Sequence, residues 1–335
     1  MKWYLIVNNE YQGQPATRYI SGFAGSTSVY LFSEDFEKGY LLIDGRYWEL
    51  EEQIKQKNNK VKNIKIVRVS RDYPVKKAVE NICEEEKFRE VEIDSVITSY
   101  ASYKKLLTFG LDVTSQDNIF EKWRAVKTDD EIRKIKKAIE ISEKAFDNIS
   151  SFIKPGVKES EIAARLEFEM KMLGSEKPAF DTIVSSGVRS AAPHASTTEN
   201  VIGEGDPVII DFGAVYEGYS ADLTKTILMS SPSEEIRKIH KIVSEAHKIG
   251  VRTIKPGLPA KELDKAVRDY IDQYGYGDKF LHSTGHGVGM SVHESPHIGF
   301  TSEEILQKGN VITIEPGIYV PGLGGVRIET TEMVK

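Results

Sequence analysis

The chain repeats itself, and few features restrict a fold so strongly. EIRKI occurs at 131–135 and again at 235–239, an offset of 104. IKPG occurs at 153–156 and 254–257, an offset of 101, and GDPVIIDFG at 205–213 is echoed by GNVITIEPG at 309–317, again at 104. Each IKPG precedes an amphipathic pattern, KESEIAARLEFEMKMLG in one half and AKELDKAVRDYIDQYG in the other. Segments repeated in this order predict two copies of helix, KPG turn, helix and strands, assembled by pseudo-twofold pairing. In that alignment Asp211 falls on Glu315, Asp222 on Glu329 across the longer YVPGLGGVRIE turn, and His194 on His293. His286 falls on Gly187, so one half offers an imidazole where the other offers space.

The chemistry gathers in residues 205–226. Val208-Ile209-Ile210, between Pro207 and Gly213, reads as a buried strand, and Tyr216-Glu217-Gly218-Tyr219 as a turn. Asp222 then opens a second strand with Thr224 and Thr226, so the hairpin brings Asp211 and Asp222 side by side. For two aspartates alone the ordinary reading is an exposed hairpin. The duplication overturns it, because two such hairpins facing each other bring four carboxylates together. Buried carboxylates need a compensating cation, and hard oxygens suit divalent manganese, cobalt, zinc or magnesium. Asp211, Asp222, Glu315, Glu329 and one histidine make a dinuclear ligand set. A water between two such ions becomes a nucleophile near neutral pH, so the reaction class is hydrolysis of an amide, ester or phosphoester. His194 and His293 remain as acids or hydrogen-bond donors. Arg327, two residues before Glu329, projects to the same strand face and is placed to orient a carboxylate or a substrate terminus.

All seven histidines lie between His194 and His297, and His282, His286, His293 and His297 fall within sixteen residues. That clustering marks a site. His282 reads as support for the site and His297 as an exposed loop residue, while His240 and His247 read as the surface of a helix. Gly285, Gly287 and Gly289 lack the GxGxxG frame and a following Lys-Thr, so a phosphate loop is discounted.

A chain of 335 residues exceeds one ordinary core, and two domains are expected. Net charge −6 and pI near 5.8 exclude a general nucleic-acid or anionic-membrane binder. The basic run QKNNKVKNIKIVR (56–68) reads as a solvated helix end entering a strand. One cysteine, Cys83, excludes an intrachain disulfide and fits a reducing compartment. MKWYLIV reads as a first strand rather than a signal peptide, and no run reaches the length of a membrane span, so a cytoplasmic protein is expected. WYLIV, TSVYLF, YLLID, IKIVRV and EVEID read as strands, with helices over Tyr47–Lys57 and Val75–Glu86. Thr128 and Glu131 form a capping-box signature ahead of a long helix with Ile132, Ile135, Ile139, Phe146 and Ile149 on one face. The expected class is therefore α+β: an N-terminal α/β domain with a mixed sheet over 1–120, and a duplicated domain over 121–335.

Five runs in order bear a resemblance to a known family: RYISGFAGSTSVYLF with LLIDGRYWELEEQ, then PAFDTIVSSGVRSAAPH, DFGAVYEGYSADLTKT, HSTGHGVGMSVHESP and ITIEPGIYVPGLGGVRIE. They resemble the Xaa-Pro peptidases, prolidase and aminopeptidase P, over nearly the whole chain. The resemblance implies a creatinase-like N-terminal domain followed by a pita-bread catalytic domain. It implies Asp211, Asp222, His286, Glu315 and Glu329 as ligands of two divalent metal ions, manganese or cobalt with zinc as an alternative. Asp222 and Glu329 would bridge, and Glu315 would also shuttle a proton. His194 and His293 would contact the scissile carbonyl and the proline side, with Arg327 supporting the site. The substrates implied are proline-containing di- or oligopeptides, and the assembly a homodimer. Proline's fixed φ and compact ring suit an apolar nook near Phe180 and the His194 loop. Two other classes compete. A metal-free peptide-binding relative of the same fold would have lost a ligand, whereas all five stand here. A metallophosphatase would carry a His/Asp/Asn spacing that is absent.

Overall fold

The computed structural model describes residues 1–9, 13–56 and 60–335. Its contacts divide the chain into two units, Met1–Arg124 and Ala125–Lys335.

In the first unit the described residues form β1 (Trp3–Asn8), α1 (Gln14–Ser21), β2 (Ser28–Ser33), β3 (Lys38–Ile43), α2 (Glu51–Gln56), β4 (Asn63–Arg68), α3 (Val75–Glu86), β5 (Glu90–Asp94), α4 (Tyr100–Leu107) and β6 (Asp112–Gln116). α5 (Ile119–Ala125) spans the junction. The sheet order is β4-β3-β2-β1-β5-β6, with β2 antiparallel to both neighbours and the other pairings parallel. This is the mixed sheet that the alternating patterns predict. Trp3, Leu5, Leu31 and Leu42 pack with Val79 and Ile82 of α3 and Leu106 of α4 on one face. On the other, Tyr4 and Phe32 meet the Phe120 ring. The helix expected over Tyr47–Lys57 begins as a short 3-10 turn at Trp48–Leu50 before α2, and Lys57 lies outside the described residues. So do Asn58 and Asn59 of the basic run, whose remainder enters β4 as expected.

The second unit carries the duplication. α6 (Asp129–Ile149) and α7 (Glu159–Met172) precede β7 (Ile183–Ser186), β8 (Pro207–Phe212), the short hairpin β9 (Val215–Tyr216) and β10 (Tyr219–Ser220), and β11 (Leu223–Leu228). α8 (Glu234–Thr253) and α9 (Ala260–Asp272) precede β12 (Gly285–Gly287), β13 (Glu294–Ile298), β14 (Val311–Ile314), the hairpin β15 (Gly317–Val320) and β16 (Gly324–Arg327), and β17 (Thr330–Met333). The sheets read β11-β8-β7 in one half and β13-β12-β14-β17 in the other, so β7-β8-β11 answers to β12-β14-β17. Apolar faces of α6 and α7 bury Ile141, Phe146 and Leu166 against Val208 and Ile210 of β8. In the second half Val251 and Leu263 pack with Ile312 and Ile314 of β14. The capping box on α6 is complete, with Thr128 Oγ1 accepting from the Glu131 amide and the Glu131 carboxylate accepting from the Thr128 amide.

The strand register corrects one expectation. Ile183 lies opposite Asp211, and the Glu315 amide donates to the Thr284 carbonyl, so Ile183 answers to Thr284 at an offset of 101. That places Ser185, not Gly187, opposite His286. The His194–His293 spacing misleads because it differs by two residues from the strand register.

Candidate metal centre

Pairing of β8 with β11 sets Thr224 opposite Asp211 and Leu223 opposite Phe212, which brings Asp222, one residue ahead of β11, next to Asp211. The second half repeats the device: Glu315 follows β14 directly, and Glu329 stands one residue ahead of β17. The two halves are stitched by threonines of the TKT run. The Glu329 amide donates to the Thr224 carbonyl at 3.0 Å, and Thr224 Oγ1 donates to Glu329 Oε2 at 2.6 Å. Thr226 Oγ1 donates to the Arg327 carbonyl at 2.7 Å, and Thr331 Oγ1 to the Asp222 carbonyl at 2.7 Å.

His286 sits in the middle of β12 between two glycines with a packing role. A Cβ at Gly285 would run into the Thr313 carbonyl, and one at Gly287 into the carbonyls of Glu294 and Ser295. The strand is squeezed between its neighbours, which explains the glycines without a phosphate. His286 Nδ1 lies 3.1 Å from the Gly287 carbonyl and donates to it. Nε2 then faces inward, 3.3 Å from Glu315 Oε1 and 3.6 Å from Asp222 Oδ2. Three groups of ligand-capable atoms lie within 4.8 Å of one another: Asp222, His286 and His293; His286, Glu315 and Glu329; Asp211, Asp222 and Glu329.

The electrostatics fit divalent cations. Burial, then the charge of Asp211, pushes Asp222 well above the carboxylate range. Burial, then Asp222 and Glu315, does the same to Glu329, and burial raises Asp211 despite Arg327. Burial would raise Glu315 too, but His286, with His282 and Arg327 behind it, holds it down at about 2. Burial opposes the charge on His286, yet Glu315 and Asp222 outweigh it and bring the ring to about 9. Asp211 Oδ1 is buried with no hydrogen-bond partner among the described residues. Crowded carboxylates that resist ionisation, one bare buried oxygen and an inward imidazole are the donor set of a hard or borderline divalent ion.

Behind the carboxylates runs a directional chain. Arg327 donates through Nη2 to Asp211 Oδ2 at 2.7 Å, through Nε to Thr224 Oγ1 at 3.1 Å, and through Nη1 to the Pro193 carbonyl at 3.1 Å and Tyr319 Oη at 2.8 Å. Guanidinium only donates, so the Tyr319 oxygen accepts and its hydroxyl proton goes on to His282 Nε2 at 2.8 Å. His282 Nδ1 donates to the Ser283 carbonyl at 2.8 Å. Burial, which lowers the pKa of His282, suits this neutral form. Tyr319 and Thr224 are thus members of the site that sequence reasoning missed. An aromatic in an apolar strand reads as core by default, and the only hint was its place in the Glu315 run.

A cavity of about 730 Å³ opens onto these groups, lined by Phe180, Ile183, Pro193, His194, Asp211, Asp222, His282, His286, Val292, His293, His297, Glu315, Arg327 and Glu329 among others. Every residue singled out for metal, chemistry or substrate therefore faces one space. His194 and His293 are exposed, and the His286 and His293 rings are 4.2 Å apart. His297 is exposed as expected but belongs to β13 rather than a loop, and shares a hydrogen bond with Ser283 Oγ at 3.0 Å. His240 and His247 are half-buried on α8, not surface residues, and His247 Nε2 pairs with Thr330 Oγ1 at 2.9 Å. The inner face of α8 is wider than the pattern of its aliphatic residues suggests.

Residues 133–335 match the family described as metallopeptidase family M24. The chain belongs to that family. In front of the M24 region, residues 3–126 match the creatinase/prolidase N-terminal domain. Among curated M24 relatives, the Xaa-Pro dipeptidase of Pyrococcus furiosus is 42% identical over 320 residues, covering 93% of this chain and 89% of that protein. The solved X-Pro aminopeptidase from Thermotoga maritima superposes with a TM-score of 0.90 at 37% identity, over 100% of this chain and 93% of that one. The Xaa-Pro dipeptidase from Bacillus anthracis gives 0.91 at 38% identity, over 100% and 90%. A two-domain α+β architecture ending in an M24 pita-bread unit is therefore the fold. Among the described residues no helix is long and apolar enough to cross a membrane.

Proposed function

We propose that this chain hydrolyses the peptide bond preceding proline with two divalent metal ions, manganese or cobalt first, in the cytoplasm and as a homodimer. The observation that carries the reading is the convergence of Asp211, Asp222, His286, Glu315 and Glu329 on a cavity whose rim holds His194 and His293. The names of the M24 relatives, dipeptidase and aminopeptidase, support the substrate class. We assign the catalytic role to the second domain.

The five residues would hold the ions, with Asp222 and Glu329, each in contact with both halves, as the bridges. Bound there, the ions would supply Lewis acidity and acidify a water. The protein's own groups do the rest. Glu315, 3.3 Å from His286 Nε2 at the mouth of the ligand cluster, would accept and return a proton. His194 and His293 donate hydrogen bonds to the scissile carbonyl and steady the proline side. Arg327 fixes Asp211 and Thr224, and Thr224 in turn fixes Glu329. Phe180, Ile183, Pro193 and Val292 give the proline ring an apolar wall.

The test is cleavage of Ala-Pro and Ala-Pro-Ala with manganese or cobalt added. Asp222→Ala and Glu329→Ala are expected to lose bound metal and activity together; an active, metal-replete variant overturns the bridging assignment. His293→Ala is expected to cut turnover by about 10²-fold while metal content stays near two ions per chain. Loss of metal in that variant would make His293 a ligand instead.

A further inference from the structure

The two halves anchor their histidine-bearing segments by different means. After His293 the chain runs on as β13 and ladders onto β12, with Gly285 opposite Ile298 and His286 opposite His297. After His194 the matching stretch, 195–198, forms no strand. A side chain stands in for the ladder: Thr197 Oγ1 accepts from the Val184 amide and donates to the Thr182 carbonyl, each at 2.8 Å. The rest falls to Glu159, the first residue of α7, whose carboxylate is fully buried.

Glu159 Oε1 accepts from the amide and hydroxyl of Ser186, both at 2.8 Å. Its Oε2 accepts from the Thr198 amide at 3.1 Å and Oγ1 at 2.7 Å. Arg189 Nε lies 3.4 Å from both oxygens, and Asn200 Nδ2 3.5 Å from Oε1. Arg189 also reaches across the loop to the Ser196 carbonyl at 2.7 Å. One carboxylate thus grips both ends of segment 186–198, at whose tip His194 faces the cavity. A buried carboxylate persists only where its lone pairs are occupied in this way. The IKPG offset of 101 puts buried Ala260 at the corresponding place in the second half. There the buried carboxylate is Asp264, one turn further along α9, which accepts from the Thr284 amide and hydroxyl ahead of β12, while the stretch after His293 is held by the β13 ladder.

We propose that Glu159 is a positioning residue that places His194 against the substrate by closing the base of this loop, without itself lining the cavity. The inference rests on the reading of His194 as substrate-facing. The test is Glu159→Gln, alone and combined with His194→Ala, in the metal-loaded full chain. Gln keeps an acceptor for Ser186 but turns an NH₂ toward Thr198, so the loop opens at one end. Amide exchange over 187–198 is expected to quicken about tenfold with metal content unchanged, and kcat/KM for Ala-Pro to fall about tenfold. In the His194→Ala background the same change should cost less than about twofold. An equal loss in both backgrounds, a fully active His194→Ala enzyme, or a loop whose exchange does not move each overturns it. Should Glu159→Gln fail to fold, Thr198→Val opens the same end from the loop side and must reproduce the pattern. A metal-loaded wild type that leaves every Xaa-Pro peptide intact would instead sink the proposed function, with loop exchange still reporting on Glu159.

Discussion

Arg327 and its neighbours show how much of a site one residue can organise. Its donors reach four oxygens on four segments, and the chain continues through Tyr319 to His282. Tyr319→Phe removes the hydroxyl, stranding an N–H of a buried guanidinium and the Nε2 of His282. The expected cost is about 2 kcal/mol, read as a lower urea midpoint with an unchanged slope. The metal-ligand candidates were legible in the sequence because carboxylates at the ends of apolar runs are conspicuous and the duplication paired them. Tyr319, Glu159 and Thr224 were not, since their parts depend on partners 8 to 105 residues away. His247 was misjudged for the same reason, because its partner Thr330 lies on a distant strand. Burial, aided by Lys225 and Lys248, lowers His247 from 6.5 to about 4. The unfolded chain then takes up a proton as pH falls through 6.5 and the folded one does not until near 4. The stability His247 contributes is complete above 6.5 and is lost between 6.5 and 4. Wild type should therefore lose about 2 kcal/mol relative to His247→Gln on going from pH 7 to 4.5. Urea titrations at both pH values, compared between the two proteins, check it; parallel curves would place the ring in water.

At the scale of elements, long amphipathic segments were readable and marginal ones were not. α6, α7 and α9 carry apolar stripes over three turns or more, so their existence followed from periodicity. β6 went unread because it is a sheet-edge strand, DVTSQ, with four of its five residues exposed and no alternation to detect. α1 and α4 are only eight residues each, too short for a 3.6-residue period to stand out. The most consequential element is the smallest. β12 has three residues and holds His286 between β13 and β14, and the missing Cβ of Gly285 lets it approach the Thr313 carbonyl. Gly285→Ala must push the strands apart and swing His286 away from Glu315 and Asp222. Metal affinity is expected to fall by about tenfold or more with the far-ultraviolet circular dichroism unchanged. Calorimetric titration with manganese gives the number, and wild-type affinity would mean that β12 has room to spare.

For the whole second unit the proposed metal site is a joint between halves whose carboxylates repel one another unless a cation lies between them. Asp211 and Asp222 come from one repeat, and His286, Glu315 and Glu329 from the other. Without cations, folding forces these carboxylates together, and their hold on protons tightens. Asp222, Glu329 and Asp211 are raised above their ordinary values, and His286 is raised from 6.5 to about 9. A raised group binds its proton more tightly in the folded state, so its contribution to stability disappears as pH climbs through the folded pKa. His240, His247, His282 and His293 are lowered and act oppositely, but only below 6.5, above which they are neutral in both states. Glu315, near 2, is ionised throughout. Between pH 6.5 and 8.5 the remaining groups all act in one direction, and the metal-free protein should lose stability as pH rises. Metal reverses the trend, because ions compete with protons for the same atoms and bind better as pH rises. At a free concentration a thousand times Kd the ions add about 4 kcal/mol. Thermal unfolding of chelated and manganese-loaded protein at pH 6.5, 7.5 and 8.5 should show two melting temperatures diverging with pH, the chelated one falling. Curves that stay parallel would mean the carboxylates do not share one set of ions.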